Sequence, residues 1–194
     1  KVGAVIFYSR QSGNWATNST WSRTSHSGSA ATSNPGNTNN AAIIVGDGDV
    51  VTIASSTSIV NQTSVQVNVS STLRVGSAGI LTTGSKSITG TGTFEVTSGT
   101  LQIGSSAGIA SSGSTGNIRT NTRSFSTSGS YTYNGSTAQV SGSGLPSSVN
   151  NLTINNSTTS VDNVGTHCDT YTWLDGVTYT VSNNTATWIT TNAA

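Results

Sequence analysis

The chain has 194 residues and a mass of 19.6 kDa, which is enough for one main domain with a sizeable core. Only 7% of the residues are charged and the formal net charge is +1, so the chain lacks the basic field typical of nucleic-acid binding. Serine and threonine supply about a third of the residues, while good helix formers such as Glu, Lys and Leu are scarce, which excludes a mainly helical fold.

Residues 1–48 are predicted to form an irregular N-terminal cap and the first strands. Trp15 and Trp21 stand six residues apart in a loop rich in Gly, Asn and Ser. We expect the two indole rings to cover an apolar end of the fold. The alternative is an exposed aromatic platform on which a sugar ring stacks.

Residues 49–160 are predicted to form a β-solenoid. Short runs rich in Val, Ile, Leu, Phe or Thr alternate with Gly and Ser, which indicates brief strands joined by turns. The runs are "DVVTI" (49–53), "SVQVNV" (64–69), "TLRV" (72–75), "GIL" (79–81), "SIT" (87–89), "TFEV" (93–96), "TLQI" (100–103) and "NIRT" (117–120).

Apolar positions in this region recur at a separation of 21 or 22 residues. The pairs are Val51 with Leu73, Val75 with Val96, Ile80 with Leu101, and Ile88 with Ile109. A coil of that length buries its apolar side chains only against the next coil, so the period favours a parallel β-helix with outward ladders of Thr, Ser and Asn. However, "TLRVGSAGI" and "TLQIGSSAGI" lie 28 residues apart, and an antiparallel β-sandwich is the alternative.

The carboxylates of this region do not indicate a catalytic or metal site. Asp47 and Asp49 in "GDGDV" offer two ligands to a calcium ion, but a calcium site usually gathers more, and a turn before the strand is favoured. Glu95 is the only glutamate and lies on a predicted strand, so the acidic pair of a glycosidase is poorly supported. We therefore predict no catalytic residue, no metal and no cofactor.

Residues 161–194 are predicted to form a short C-terminal hairpin module. They include "THCDTYT" (166–172), which contains the only cysteine, Cys168. Adjacent strand residues point to opposite faces, so His167 and Cys168 are not expected to form a catalytic pair. A zinc site needs three or four ligands, and the only other histidine, His26, is distant in the sequence. The run "YTWLDGVTYTV" predicts a β-hairpin with Asp175-Gly176 as its two-residue turn.

Several segments resemble a known protein group. The opening "FYSRQSGNWATNSTWS" is followed by "NPGNTNNAAIIVGDGDVVTI", "SSTLRVGSAGILTTG", "GNIRTNTRSFSTSGSYTYNGSTAQVSGSGLP" and "VNNLTINNS". Together they resemble the β-rich, β-helix-like adhesin-type proteins that Bacteroidota secrete or display at the cell surface. The resemblance covers roughly residues 7–157, and it implies export by the type IX secretion route.

The tail "CDTYTWLDGVTYTVSNNTATWITTNAA" resembles the start of a CDSYTW-type repeat in the same proteins. In those proteins a further cysteine follows the segment that ends here with "TNAA". The resemblance therefore implies that residues 161–194 are a truncated hairpin module. It also implies that Cys168 is one half of a disulfide whose partner lies beyond Ala194.

The sequence thus predicts a non-enzymatic structural or adhesive segment of a larger surface or secreted protein. The chain contains no methionine, and we expect an extracellular location after removal of a signal peptide. One alternative is a subunit of a self-assembling filament or matrix, and another is a carbohydrate-binding module. The expected partners are surface glycans or other copies of the chain, without nucleic acid and without membrane insertion.

Overall fold

The computed structural model of the protein describes residues 5–37 and 40–156, together with the backbone of residues 171–172 and 178–179. In these ranges every regular element is a β-strand, apart from one turn of 3₁₀ helix at Asn18–Thr20. The predicted all-β class is therefore confirmed. The chain divides into two units, residues 1–157 and residues 158–194.

The described part of the first unit contains fourteen strands, most of them only two to four residues long. They are β1 (Ile6–Ser9), β2 (Gly13–Asn14), β3 (Trp21–Ser22), β4 (Ala42–Val45), β5 (Val50–Ile53), β6 (Ser56–Ser58), β7 (Ser64–Val67), β8 (Thr72–Val75), β9 (Ile80–Thr82), β10 (Ile88–Val96), β11 (Thr100–Ile103), β12 (Ile118–Phe125), β13 (Ser130–Tyr133) and β14 (Asn151–Ile154). Gly, Ser and Asn occupy most of the intervening turns, as expected for residues that tolerate turn geometry.

The strands form two curled sheets in which almost every pairing is parallel. The larger sheet has nine strands, with the order β2-β5-β8-β10-β7-β4-β1-β3 and with β12 also paired to β10. The smaller sheet has the order β14-β13-β11-β9-β6. Only β1 and β3 pair antiparallel in this unit, so the antiparallel sandwich is wrong for these residues.

The parallel registers place apolar residues of successive strands in columns. Val51 pairs with Leu73, and Leu73 pairs with Phe94, and all three side chains are fully buried. Leu81, Leu101 and Tyr131 form a second column of buried side chains. Each such side chain contributes about 1.5–3 kcal/mol when fully buried, so these columns supply the main driving force for the fold.

The register confirms some of the predicted spacings and corrects others. Val51 pairs with Leu73, and Val75 pairs with Val96, as predicted. The Ile80–Leu101 spacing is wrong by one residue, because Leu81 is the partner of Leu101 and Ile80 faces outward beside Thr100. The two similar segments 28 residues apart begin with β8 and β11, which lie in different sheets, so they are not successive turns of one column.

The predicted Ile88–Ile109 spacing is also wrong. Ile88 pairs with Ile118, 30 residues later, because residues 104–117 form a longer loop between β11 and β12. Ile109 is buried within that loop and belongs to no strand. A chain that inserts such a loop keeps its strand register while losing its sequence period.

Residues 6–14 of the predicted N-terminal cap belong to the larger sheet. Strand β1 pairs in parallel with β4, and β2 pairs in parallel with β5. The loop after β2 returns through the 3₁₀ turn to β3, which lies antiparallel to β1.

In the second unit the described backbone consists of β15 (Tyr171–Thr172) and β16 (Thr178–Tyr179), which pair antiparallel as the hairpin prediction requires. Thr172 pairs with Thr178, whereas an unbroken two-residue turn at Asp175-Gly176 would pair Thr172 with Tyr179. The turn itself lies outside the described residues.

Candidate functional site

The two tryptophans predicted as cap or ligand aromatics lie together in the core. Trp15 is 2% exposed and Trp21 is 0% exposed. Their rings meet edge to face at 5.2 Å between centroids, and the Trp21 indole N–H donates a hydrogen bond of 2.7 Å to the Trp15 carbonyl oxygen. Neither ring presents a face to solvent, so this pair cannot act as the exposed sugar platform of the alternative prediction.

The edge of this cluster is closed by Phe7 and Arg23. Phe7 packs edge-on against Trp21 with 6.3 Å between ring centroids. The Arg23 guanidinium lies 4.6 Å from the centre of the Phe7 ring and donates a hydrogen bond to the Ile6 carbonyl oxygen. A cation over the ring therefore covers the apolar cluster on this side.

The three carboxylates in the described ranges do not converge. Asp47 has a positive φ of 59° in the Gly46–Asp49 turn, where the Asp49 amide donates to the Gly46 carbonyl oxygen, so the turn prediction is confirmed. Glu95 forms an ion pair with Arg74 on the neighbouring strand. Among the described residues no group of three or more His, Cys, Asp or Glu side chains could hold a metal ion.

The histidine and cysteine candidates are not brought together by the described structure. His26 lies beside Tyr8, with 5.3 Å between ring centroids, and its Nδ1 is 2.6 Å from the Ser9 carbonyl oxygen. His167 and Cys168 lie outside the described residues, so the proposed disulfide half stays a prediction.

Three side-chain amides, which the sequence analysis did not identify, help to organise the turns. Gln62, Asn117 and Gln139 each accept a backbone N–H with the amide oxygen and donate to two backbone carbonyls with the amide nitrogen. Asn117 is 1% exposed and bridges Gly84 and Lys86. In a chain rich in amides no local signal distinguishes these three, because their role depends on turns that are distant in the sequence.

The Asn117 amide is a fully satisfied buried group. Its nitrogen donates to the Gly84 and Lys86 carbonyl oxygens at 2.9 and 2.6 Å, and its oxygen accepts from the Ser105 amide at 2.9 Å. Buried polar groups stabilise a fold only when each donor and acceptor has a partner. Asn117 therefore joins two turns without leaving an amide group unpaired.

Polar side chains are aligned in columns on the outward surface of the smaller sheet. One column consists of Ser58, Thr82, Gln102, Thr132 and Thr153. The Thr82 hydroxyl donates a hydrogen bond of 2.8 Å to the Gln102 side-chain oxygen along this column. The predicted outward Ser/Thr ladders are thus present on this surface, and they are uncharged.

Several buried polar groups have shifted pKa values. Burial raises the pKa of both Tyr131 and Tyr133 to about 12, and the neighbouring Tyr133 adds to the effect on Tyr131. Burial lowers the pKa of Arg123, and the positive charge of Arg119 lowers it further. The two tyrosine hydroxyls donate to the Ser126 and Ser141 carbonyl oxygens, so they anchor turns.

Comparison of the chain with protein-family models, with curated proteins and with solved structures found no match. In the described parts of the chain no helix has the length and apolarity that a membrane crossing requires.

Proposed function

We propose that this chain is a non-enzymatic structural and adhesive segment of a larger surface or secreted protein. The observation that carries the proposal is the register of buried apolar columns and outward hydroxyl columns. Such an arrangement gives a stiff body with a uniform polar surface, which suits a load-bearing or contact role. Asp47 and Asp49 lie in a backbone turn, Glu95 pairs with Arg74, and His26 contacts the Ser9 carbonyl oxygen, in keeping with that role.

The two sheets are proposed to be faces of one parallel β-helix. Three sets of strands support this architecture. Within each set, one strand pairs in parallel with the next, as equivalent strands of successive coils do. The sets are β4-β7-β10, β5-β8-β10 and β6-β9-β11. Strand β10 belongs to two sets, as expected for a strand that turns a corner of a coil.

Self-assembly is the second candidate function, and one observation favours it. Leu152 continues the buried column of Leu101 and Tyr131, yet its side chain is 45% exposed. An apolar column that reaches the surface offers a contact to another copy of the chain. Light scattering over a wide concentration range should then show association that Leu152→Asn weakens, and monomers throughout would rule this candidate out.

The adhesive role can be tested with beads that carry the folded chain at a known density. Under flow, these beads should adhere to immobilised glycans or matrix proteins more strongly than beads carrying urea-unfolded chain. In parallel, the soluble chain should turn over no glycoside, ester or peptide in a substrate panel. Absence of folding-dependent adhesion, or turnover that Glu95→Gln abolishes, would contradict the proposal.

A further inference from the structure

A cavity of about 230 Å³ lies between two turns of successive coils. One wall is formed by residues between 59 and 65, which lead from β6 into the start of β7, and the other by residues between 86 and 89, which lead into the start of β10. Pockets for drug-sized ligands usually measure about 300–1,000 Å³, so this cavity suits a smaller molecule such as one sugar unit.

Lys86 lines this cavity and differs from the other cations of the described chain. Each of the five arginines donates to a backbone carbonyl or to Glu95, namely Arg10, Arg23, Arg74, Arg119 and Arg123. The Lys86 ammonium makes no hydrogen bond or ion pair within the residues that the structure describes. Among the described residues, Lys86 is therefore the cation left available to a ligand.

The backbone around Lys86 is held from two sides. The Lys86 amide donates to the Thr83 carbonyl oxygen at 3.0 Å, and the Lys86 carbonyl oxygen accepts from the Asn117 amide. On the opposite wall, Gln62 is tied to the Ala41 amide, and the Thr63 hydroxyl donates to the Asn40 carbonyl oxygen. Binding to fixed walls costs little ordering entropy.

The remaining lining matches the chemistry of a sugar. Ser64, Ser87 and Thr89 contribute hydroxyl groups, which both donate and accept hydrogen bonds as sugar hydroxyls do. The Thr63 hydroxyl, whose proton goes to the Asn40 carbonyl oxygen, can accept a further hydrogen bond. Ile59 and Val65 are 0% and 2% exposed, so they support the cavity from behind and the polar groups supply the contacts. A single ammonium group complements a single negative charge.

We propose that this cavity binds a monoanionic sugar unit, either a uronate or a sulfated hexose, with Lys86 pairing the anionic group. The inference deepens the adhesive role proposed above and rests on it for its biological meaning. One lysine in the lining matches one negative charge, as a single uronate or sulfate group provides.

The test is an NMR titration of the folded ¹⁵N-labelled chain with sodium galacturonate, galactose 6-sulfate and neutral galactose. The anionic sugars should shift the amides of residues 62–65 and 86–89, and galactose should bind about tenfold more weakly, as expected for loss of a charge-assisted hydrogen bond. Galacturonate and galactose 6-sulfate distinguish a carboxylate from a sulfate ester as the preferred group.

The variant Lys86→Gln should weaken galacturonate binding about tenfold. Lys1→Gln makes the same chemical change at the only other lysine of the sequence and should leave the affinity unchanged. Lys86→Arg keeps the charge and should restore most of the binding. Unchanged thermal unfolding of the three variants shows that they remain folded.

Equal affinity in the Lys86→Gln and unmodified chains would overturn the inference, as would shifts confined to other residues. Sodium acetate that binds as tightly as galacturonate would overturn the assignment to a sugar. If the beads adhere under flow but no sugar shifts these amide signals, this inference alone would be refuted. A normal sugar titration without adhesion would instead count against the proposed adhesive function.

Discussion

At the scale of single residues, side-chain amides and tyrosine hydroxyls hold the turns of this protein together. Gln62, Asn117 and Gln139 each bridge backbone groups that are distant in sequence. Tyr131 and Tyr133 extend the inward columns and still place their hydroxyls on turn carbonyls. Because few charges and no disulfide are found in the described chain, such neutral hydrogen bonds fix the loops.

Replacement of Asn117 by aspartate should destabilise the fold by about 3 kcal/mol at pH 7, because the new carboxylate would face the Gly84 and Lys86 carbonyl oxygens with no donor. Asn121→Asp provides the matched control, since it makes the same change at an exposed position of β12 and should cost less than about 0.5 kcal/mol. The free energy of unfolding in urea measures both. Equal losses in the two variants would contradict the role assigned to Asn117.

The raised tyrosine pKa values predict a loss of stability at high pH. Below pH 10 the phenols are protonated in both states, so they add no pH dependence. As the pH rises above 10, the unfolded chain loses these protons first, and the folded chain retains them up to about pH 12. The unfolded state then binds fewer protons, and stability should fall by up to about 2.5 kcal/mol per tyrosine.

Urea unfolding between pH 9 and 11.5 measures this loss, and absorbance near 295 nm follows the phenolates in the folded chain. Tyr131→Phe removes one of the two groups and should flatten the pH dependence without abolishing it. A stability that stays constant across this range, or titration of every tyrosine near pH 10, would refute the expected burial of these hydroxyls.

At the scale of elements, strand β10 shows how one segment serves two columns. The sequence predicts separate strands at 87–89 and 93–96, whereas the structure has one strand, Ile88–Val96. Its first part pairs with β7 and its second part with β8, and the register shifts between Gly90 and Thr93. Gly90 has a φ of 120°, a backbone conformation that other residues rarely adopt.

Gly90→Ala should therefore cost several kcal/mol, because the added methyl group would overlap the Val67 carbonyl oxygen and the positive φ would also be strained. Gly113→Ala isolates the second effect: Gly113 has a φ of 79°, but its new methyl group would meet nothing within 4 Å. This control should lose only about 1 kcal/mol. If the urea denaturation curves of the two variants coincide, the bend at Gly90 is not tightly packed.

At the scale of the whole molecule, the apolar columns end in different ways. The Val51–Leu73–Phe94 column ends beside Arg123, whose guanidinium donates to the carbonyl oxygens of Ala110 and Gly113. A cation with carbonyl partners closes that column with a polar group. The column through Tyr131 instead ends at the half-exposed Leu152, where we propose contact with another copy.

The proposed parallel β-helix predicts regular distances along the outward column from Ser58 to Thr153. Successive strands lie about 4.8 Å apart, so the Cα atoms of Ser58 and Thr153 should be about 19 Å apart and those of Thr82 and Thr153 about 14 Å. Electron-spin distance measurements on doubly labelled chains, with Cys168→Ser to remove the native thiol, test both. Label distances that do not differ by about one strand spacing would contradict the stacked arrangement.

The strand segments and part of the coil spacing could be predicted from the sequence. Val51 with Leu73 and Val75 with Val96 are correct because no long insertion changes the spacing between these paired strands. The pairing of Ile88 with Ile118 could not be predicted, since the 104–117 loop changes the spacing while the backbone register continues. The ligand alternative for Trp15 and Trp21 failed because composition does not show which side of a loop is buried.

The sequence by itself determined the all-β class and the positions of most short strands. It did so because β-branched and turn-forming residues act locally, through backbone preference and through the apolar pattern of each strand. Only the tertiary structure decided which strands became neighbours, which amides became buried bridges, and where Lys86 faced a cavity. Those outcomes depend on contacts between residues 20 or more positions apart, and no single segment of the chain encodes them.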